Sequence, residues 1–193
     1  MRAMSRTTST TRARPVVVLL RGINVGGHRK VPMADLRETL AAAGCTDVTT
    51  YIQSGNAVCR APRDLDTLES AIEAAIAGTF GFHVDTLVRD AGQWARYVDT
   101  ASFPDAASAR PNLLLLALAR RPLLPTAGEQ LTARCTGAER IALLPDGLWI
   151  DHADGVARSK LTPAALDRAA GSPVTARNWR TVLQLHTMLA ALA

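Results

Sequence analysis

Aromatic side chains are scarce in this sequence, at 4% of 193 residues, with three Trp, three Phe and two Tyr. Any core must therefore be aliphatic, built on Leu, Val, Ile and Ala, and a nucleic-acid surface that stacks bases on rings has little to draw on. Cysteine is scarcer still. Cys45, Cys59 and Cys135 are odd in number, widely spaced and form no Cys-x-x-Cys pair. That argues against a disulfide framework and points to a reducing, cytoplasmic setting, with Cys45 and Cys59 as inert buried thiols. Long apolar runs are missing too. The longest spans 113–119, far short of the roughly 20 residues that cross a bilayer, so no membrane partner is expected.

The familiar catalytic patterns are also absent. His28, His83, His152 and His186 show no metal-ligand spacing, and no metal site is expected. Ser54 lies in Gln-Ser-Gly-Asn, not in a hydrolase elbow. The glycines Gly22, Gly26 and Gly27 do not fit a dinucleotide fingerprint, and His28-Arg29 stands where a Walker A loop has Lys-Ser/Thr. No cofactor is expected, no residue is assigned as catalytic, and whether the protein is an enzyme stays open. Asp151-His152-Ala153-Asp154 could suggest acid–base chemistry but reads as the exposed end of a hairpin strand.

Charge looks informative until it is located. The net charge is +5 and the pI about 9.7, values that suit a nucleic-acid binder. Arg2, Arg6, Arg12 and Arg14 fall in the first 14 residues, which contain no acid; setting these four aside leaves 18 basic against 17 acidic residues. The body is nearly neutral. Residues 1–14 read as a disordered basic tail, rich in Ser, Thr and Arg, that cannot form a core.

What is present is a regular alternation of periods. The β-branched run 15–20 predicts a buried strand. Met33, Leu36, Leu40 and Ala43 share a helical face that Gly44 ends. Strands are predicted over 48–53 and 57–60 around Ser54-Gly55-Asn56, whose residues tolerate the positive φ of a tight hairpin. A helix opened by Asp64 or Asp66 follows, then a strand over 83–89. This order is β-α-β-β-α-β, a split β-α-β or ferredoxin-like unit. After a short helix over 92–98 and a loop over 102–111, the second half reads strand 112–119, helix 126–134, a hairpin of 141–144 with 148–151, and helix 162–170. A final amphipathic helix is predicted over 177–192, capped by Thr175, with Trp179, Val182, Leu185, Met188 and Leu189 inward. The expected fold is α+β, with 15–100 as one ferredoxin-like unit and 101–193 as a second, intertwined with it and ending in the helix.

Three polar clusters stand out. In the first, 21–30, the glycines free the backbone so that its N–H groups could cradle an anion; relief of close packing explains them equally well. The second, Tyr51-Ile52-Gln53-Ser54-Gly55-Asn56, is a hairpin turn in its own right. A right-handed β-α-β crossover makes the strands before these two clusters parallel, so both end at one sheet edge. Arg21, Asn24, Gln53, Ser54 and Asn56 should therefore gather on one rim. The third cluster, Thr175-Ala176-Arg177-Asn178-Trp179-Arg180-Thr181, reads as a helix start with Trp179 as a core anchor.

Taken together, Leu-Leu-Arg-Gly-Ile-Asn-Val-Gly-Gly (19–27), Thr-Tyr-Ile-Gln-Ser-Gly-Asn (50–56), Ser159-Lys160-Leu161 and Thr-Ala-Arg-Asn-Trp-Arg-Thr-Val (175–182) resemble the bacterial domain-of-unknown-function family 1697. The resemblance covers about 16–190 and implies two ferredoxin-like units in tandem. It brings no activity, substrate or cofactor. Its motifs add Lys160, Arg177 and Asn178 to the candidate ligand-binding residues Arg21, Asn24, Gly26, Gly27, Gln53, Ser54 and Asn56, with Arg177 and Asn178 joining only if the last helix starts near the rim. His28-Arg29-Lys30 departs from the lysine- and asparagine-rich run usual in that family.

The expected function is binding of a small anionic or phosphate-bearing ligand at the shared rim. Arg21 would supply charge, Gly26 and Gly27 backbone donors, and Gln53, Ser54 and Asn56 orienting bonds. The competing reading of Arg21 is an internal ion pair. Nucleic-acid binding and a purely structural or oligomeric role are the alternatives, and the oligomeric state is not legible.

Overall fold

The computed structural model describes residues 13–61 and 65–192, so the tail reading over residues 1–12 lies outside it. Strand β1 (Arg14–Leu20) starts one residue before the predicted run. Its side chains divide between two cores: Val16, Val18 and Leu20 enter one, and Val17 and Leu19 enter another. Burial on both faces is why the strand reads as an unbroken apolar run instead of an alternation.

Around β1 lies an antiparallel sheet in the order β2 (Thr46–Tyr51), β3 (Asn56–Ala61), β1, β4 (Thr86–Asp90). Helices α1 (Met33–Ala42) and α2 (Leu65–Phe80) cover its outer face with Leu36, Leu40, Leu68, Ile72 and Ile76, the three- and four-residue spacing of a core-facing stripe. Helix α3 (Ala91–Asp99) follows β4 directly. The Asp90 side chain accepts from Gln93 N while the Gln93 side chain accepts from Asp90 N, a reciprocal capping box. The segment expected to be a loop over 102–111 contains a six-residue helix, α4 (Pro104–Ala109), started by Pro104 in its first turn and anchored by buried Ala106.

The second sheet repeats the arrangement. Strand β5 (Leu114–Ala119), α5 (Ala127–Thr132), β6 (Arg140–Leu144), β7 (Gly147–Asp151), α6 (Pro163–Ala170), β8 (Val174–Asn178) and α7 (Trp179–Ala190) build an antiparallel sheet in the order β6-β7-β5-β8. Each sheet has its first-entered strand inside and its last-entered strand on an edge. The protein is thus a mixed α+β fold of two four-stranded antiparallel sheets, with seven α-helices among the described residues.

Strand β8 corrects the sequence reading, which began a helix in this stretch under a Thr175 cap. Gly171, at φ 71°, ends α6, and the β-branched Val174 and Thr175 then pair with Ala119 and Leu118. The helix begins only at Trp179, and its cap is Asn178, whose side chain accepts from Thr181 N. Nothing local in Val-Thr-Ala-Arg-Asn alternates clearly; pairing with β5, more than fifty residues away, decides its conformation.

The middle core joins the halves. Val17 and Leu19 from the first sheet, Leu116, Leu118 and Trp149 from the second, and Trp94 and Leu185 from α3 and α7 form one cluster. Trp94 Nε1 donates to Val182 O at 3.1 Å, tying α3 to α7. The rings of Trp149 and Trp179 meet edge-on at 5.4 Å.

A second correction concerns Asp151 and His152. Both are buried, not at an exposed strand end. Arg110 Nε and Arg140 Nε donate to the Asp151 carboxylate at 2.9 and 3.0 Å. Burial pushes that carboxyl up, but the bonds from Arg110 and Arg140 outweigh it and hold the group below the usual range. Burial pushes the His152 imidazole down, against Glu139 and Asp151. This is an ion-paired anchor for β7.

The β5–β7 pairing sets a strict test of packing. A Cβ at Gly147 would stand 2.4 Å from Ala117 O and 3.0 Å from Leu118 Cδ2, and the first of these is backbone that cannot swing away. Gly147→Ala should lower unfolding free energy by about 1–3 kcal/mol in urea denaturation. An unchanged midpoint would mean the strands separate more easily than described.

Candidate functional site

The C-terminal end of β1 meets the β2–β3 hairpin and the start of β4. Leu20 N donates to Gly55 O at 2.8 Å and Arg21 N to Asp85 O at 3.0 Å. Beyond it the chain folds into a small finger: Val25 bridges to His28, with Gly26 (φ 60°) and Gly27 (φ 79°) at the tip. Two successive left-handed residues in a two-residue turn are the geometry that selects glycine. Asn24, itself at φ 55°, closes the base of the finger. Its Oδ1 accepts from Val31 N at 2.8 Å, and its Nδ2 donates to Val31 O at 3.0 Å and to Gln53 O at 2.9 Å. The last bond ties the glycine finger to the hairpin, so the two clusters do share one edge.

Between them opens a groove of about 580 Å³ lined by Asn24, Gly27, Lys30, Gln53 and the residues that begin α1. The helix starts behind Pro32, which offers no side-chain cap. Its first-turn N–H groups therefore lack the usual side-chain acceptor.

Arg21, Asn56, Arg177 and Asn178 are engaged within the fold. Arg21 Nη2 donates to Asp167 at 2.6 Å, Nη1 to Asp85 at 3.2 Å and Nε to Val174 O at 3.0 Å. This is the internal pairing that competed with the ligand reading. Asn56 is fully buried; its Nδ2 donates to Ser54 Oγ at 2.9 Å and Tyr51 O at 3.2 Å, and its Oδ1 accepts from Arg177 Nε. Arg177 reaches across from β8 to the rim. Its Nη2 donates to Leu20 O at 2.8 Å and Ser54 O at 3.1 Å, and its Nη1 to Thr175 Oγ1 at 2.7 Å. Burial pulls its pKa down to about 10. Asn178 caps α7. Lys160 is exposed beside the short helix Val156–Arg158 and does not line the groove. Gly26, Gly27 and Gln53 are exposed at the rim.

Two arginines that sequence reasoning missed complete the arrangement. Arg120 follows β5 as Arg21 follows β1, and Arg89 lies opposite Val17 in β4 as Arg177 lies opposite Leu116 in β8. Their contacts are reciprocal. Arg21 pairs with Asp167, whose Oδ1 accepts from Val174 N, the first residue of β8. Arg120 pairs with Glu73 at 2.8 Å, whose Oε1 accepts from Thr86 N, the first residue of β4. Arg177 donates to the last carbonyl of β1; Arg89 Nη2 donates to the last carbonyl of β5, Ala119 O, at 2.6 Å. Around Arg89 lie Glu69 at 3.7 Å, Asp146 at 3.2 Å and the Tyr97 hydroxyl at 3.1 Å. Burial pushes the Glu69 carboxyl above its usual range, against the Val88 N–H and the charges of Arg89 and Arg120. The signal that could have found them is the alignment of strand ends: an arginine directly after each half's first strand, and one in each half's last strand.

Glu73, His83 and Asp85 come within 4.8 Å of one another. Arg120 and Arg21 already neutralise the two carboxylates, so the group reads as part of the ion-pair brace.

Two sheets in this order, joined at a rim built from these motifs, define the kind of protein. The chain belongs to the family described as Protein of unknown function (DUF1697), whose profile matches residues 14–149. The chain is also similar in structure to a conserved bacterial protein, SP0830 from Streptococcus pneumoniae, with a TM-score of 0.67 and 21% identity over 92% of this chain and 99% of that one. At that identity the likeness concerns the fold. No curated protein matches the chain.

The four arginines should not be equivalent in stability. Arg89→Met removes the nearly buried guanidinium shared by Ala119 O, Asp146 and Glu69, leaving Arg120 as the cation at Glu69, and should cost about 3–5 kcal/mol. Arg177→Met strands carbonyl and amide acceptors and should cost about 1–3 kcal/mol. Arg21→Met leaves carboxylates that still touch water and should cost about 1 kcal/mol or less. Urea denaturation of the three variants checks the ranking, and an Arg21 variant as unstable as the Arg89 variant would overturn it.

Proposed function

We propose that the protein binds a small anionic or phosphate-bearing ligand in the groove between the glycine finger, Gln53 and the start of α1. The observation that carries this reading is the meeting of an uncapped helix start with Lys30 and Gly27 in one groove. First-turn N–H groups and the positive end of the helix dipole favour an anion there. Lys30 is the cation of this reading. Arg21, the cation first expected, is held by Asp85 and Asp167. Asn24 and Gln53 fix the walls through their mutual bond.

The finer architecture belongs to the same proposal. Residues 15–100 and 101–193 are two intertwined ferredoxin-like units in tandem, a reading supported by the matching strand orders and by the paired arginines. Among the described residues no helix is long and apolar enough to cross a membrane. A cytoplasmic location is supported by the thiol state of Cys45, Cys59 and Cys135.

Inorganic phosphate is the direct probe. Titrated into the protein, it should shift the amide resonances of Gly27, Ala34 and Asp35, and Lys30→Ala should weaken the response about three- to tenfold. Shifts confined to other parts of the protein, or a Lys30→Ala variant that responds like wild type, would refute the groove as the site.

A further inference from the structure

A second cavity lies away from the rim, between α3 and the turn that joins β6 to β7. It holds about 380 Å³ and is lined by Arg96, Tyr97, Thr100, Leu144, Pro145 and Asp146. That size falls within the range of pockets that take small molecules, and a junction between structural halves is a common place for them. Its walls are largely carbon: the Tyr97 ring, Leu144, Pro145 and the Arg96 stem. The polar groups of two lining residues are already committed. The Thr100 hydroxyl donates to Arg96 O at 2.6 Å. The Tyr97 hydroxyl donates to Asp146 Oδ2 at 2.5 Å and accepts from Arg89 Nε.

Asp146 is the exception. Both of its side-chain donors, Tyr97 Oη and Arg89 Nε, land on Oδ2. Among the described residues no donor reaches Oδ1. The carboxylate is therefore fixed in position by two bonds on one oxygen while the other keeps its acceptor capacity, on a residue that lines the apolar chamber. Such pre-orientation lowers the ordering cost of binding.

We propose that this cavity binds a small apolar molecule carrying a hydrogen-bond donor, an amine foremost, with its apolar body against Tyr97, Leu144 and Pro145 and its donor on Asp146 Oδ1. An ammonium suits the site better than a hydroxyl, because its bond to a carboxylate is charge-assisted. A carboxylate ligand would have to face Asp146; the Arg96 head is exposed, where water screens its attraction.

Three probes of one shape separate the possibilities: benzylamine, benzyl alcohol and benzoate. Each is titrated into the full-length protein while the Leu144 methyl and Tyr97 ring resonances are followed by NMR. Trp94, whose ring meets Tyr97 edge-on at 6.0 Å, gives an independent fluorescence signal. Benzylamine should bind with a Kd on the order of 1 mM, the range expected of so few atoms. Benzyl alcohol should bind about fivefold more weakly, and benzoate weakest. Thr100→Phe, which fills the cavity from its rim, should abolish the benzylamine response without lowering the melting temperature. Asp146→Asn should erase the preference for the amine over the alcohol. The proposal is overturned if benzoate binds best, if no probe moves Leu144 or Tyr97, or if Thr100→Phe leaves benzylamine binding intact. Thr100→Phe makes no change to the Arg89–Asp146 network, so its result stands even if Asp146→Asn proves unstable.

Discussion

Four guanidinium groups hold the two sheets in register, and most of what is specific about this protein follows from where they reach. Each sheet ends its first strand in a carbonyl to which an arginine from the last strand of the other sheet donates: Arg177 to Leu20 O, Arg89 to Ala119 O. A second arginine just past each first strand pairs with an acid on the opposite half, and that acid in turn holds the first N–H of an edge strand. Contacts that repeat with the partners exchanged are the mark of an isologous interface. Arginine suits the task because its planar fork satisfies several acceptors at fixed angles and keeps its charge when desolvated.

This brace gives the rim its character. Arg177 bonds Asn56 and the carbonyls of Leu20 and Ser54, so the β2–β3 hairpin is anchored from the far sheet. Asn24 then fastens the glycine finger to that hairpin through Gln53 O. Residues that looked like a cluster of ligand donors are mostly the joinery of the edge. What remains available to a ligand is the groove they frame, with Lys30, Gly27 and the start of α1. A binding surface built on such fixed backbone loses little freedom when occupied. The α3 cavity draws on the same brace, since Arg89 is one of the two groups that orient Asp146.

Much of this was legible in the sequence. The run at 15–20, the stripes of α1 and α2 and the Ser54-Gly55-Asn56 turn announce their elements through period and turn chemistry. The shared edge follows from the handedness of a single crossover. What escaped the sequence is non-local. Strand β8 has no clear alternation and exists because β5 offers it a partner. Asp151 and His152 look like a polar strand end, and only the tertiary positions of Arg110 and Arg140 explain how the Asp151 carboxylate is buried. Arg89 and Arg120 sit in no motif; their roles appear only when the two sheets are superposed strand by strand. Arg21 carried both readings, and the choice depended on Asp167, 146 residues away.

If the reciprocal arginines are the governing constraint, the two sheets should open together rather than one at a time. Native-state hydrogen exchange measures this directly on the central strands, Val16–Leu20 in β1 and Leu114–Ala119 in β5. The account predicts that the slowest amides of the two strands exchange with the same opening free energy, within about 0.5 kcal/mol, and share one denaturant dependence. Opening free energies that differ by several kcal/mol, with one sheet exchanging while the other stays closed, would contradict it.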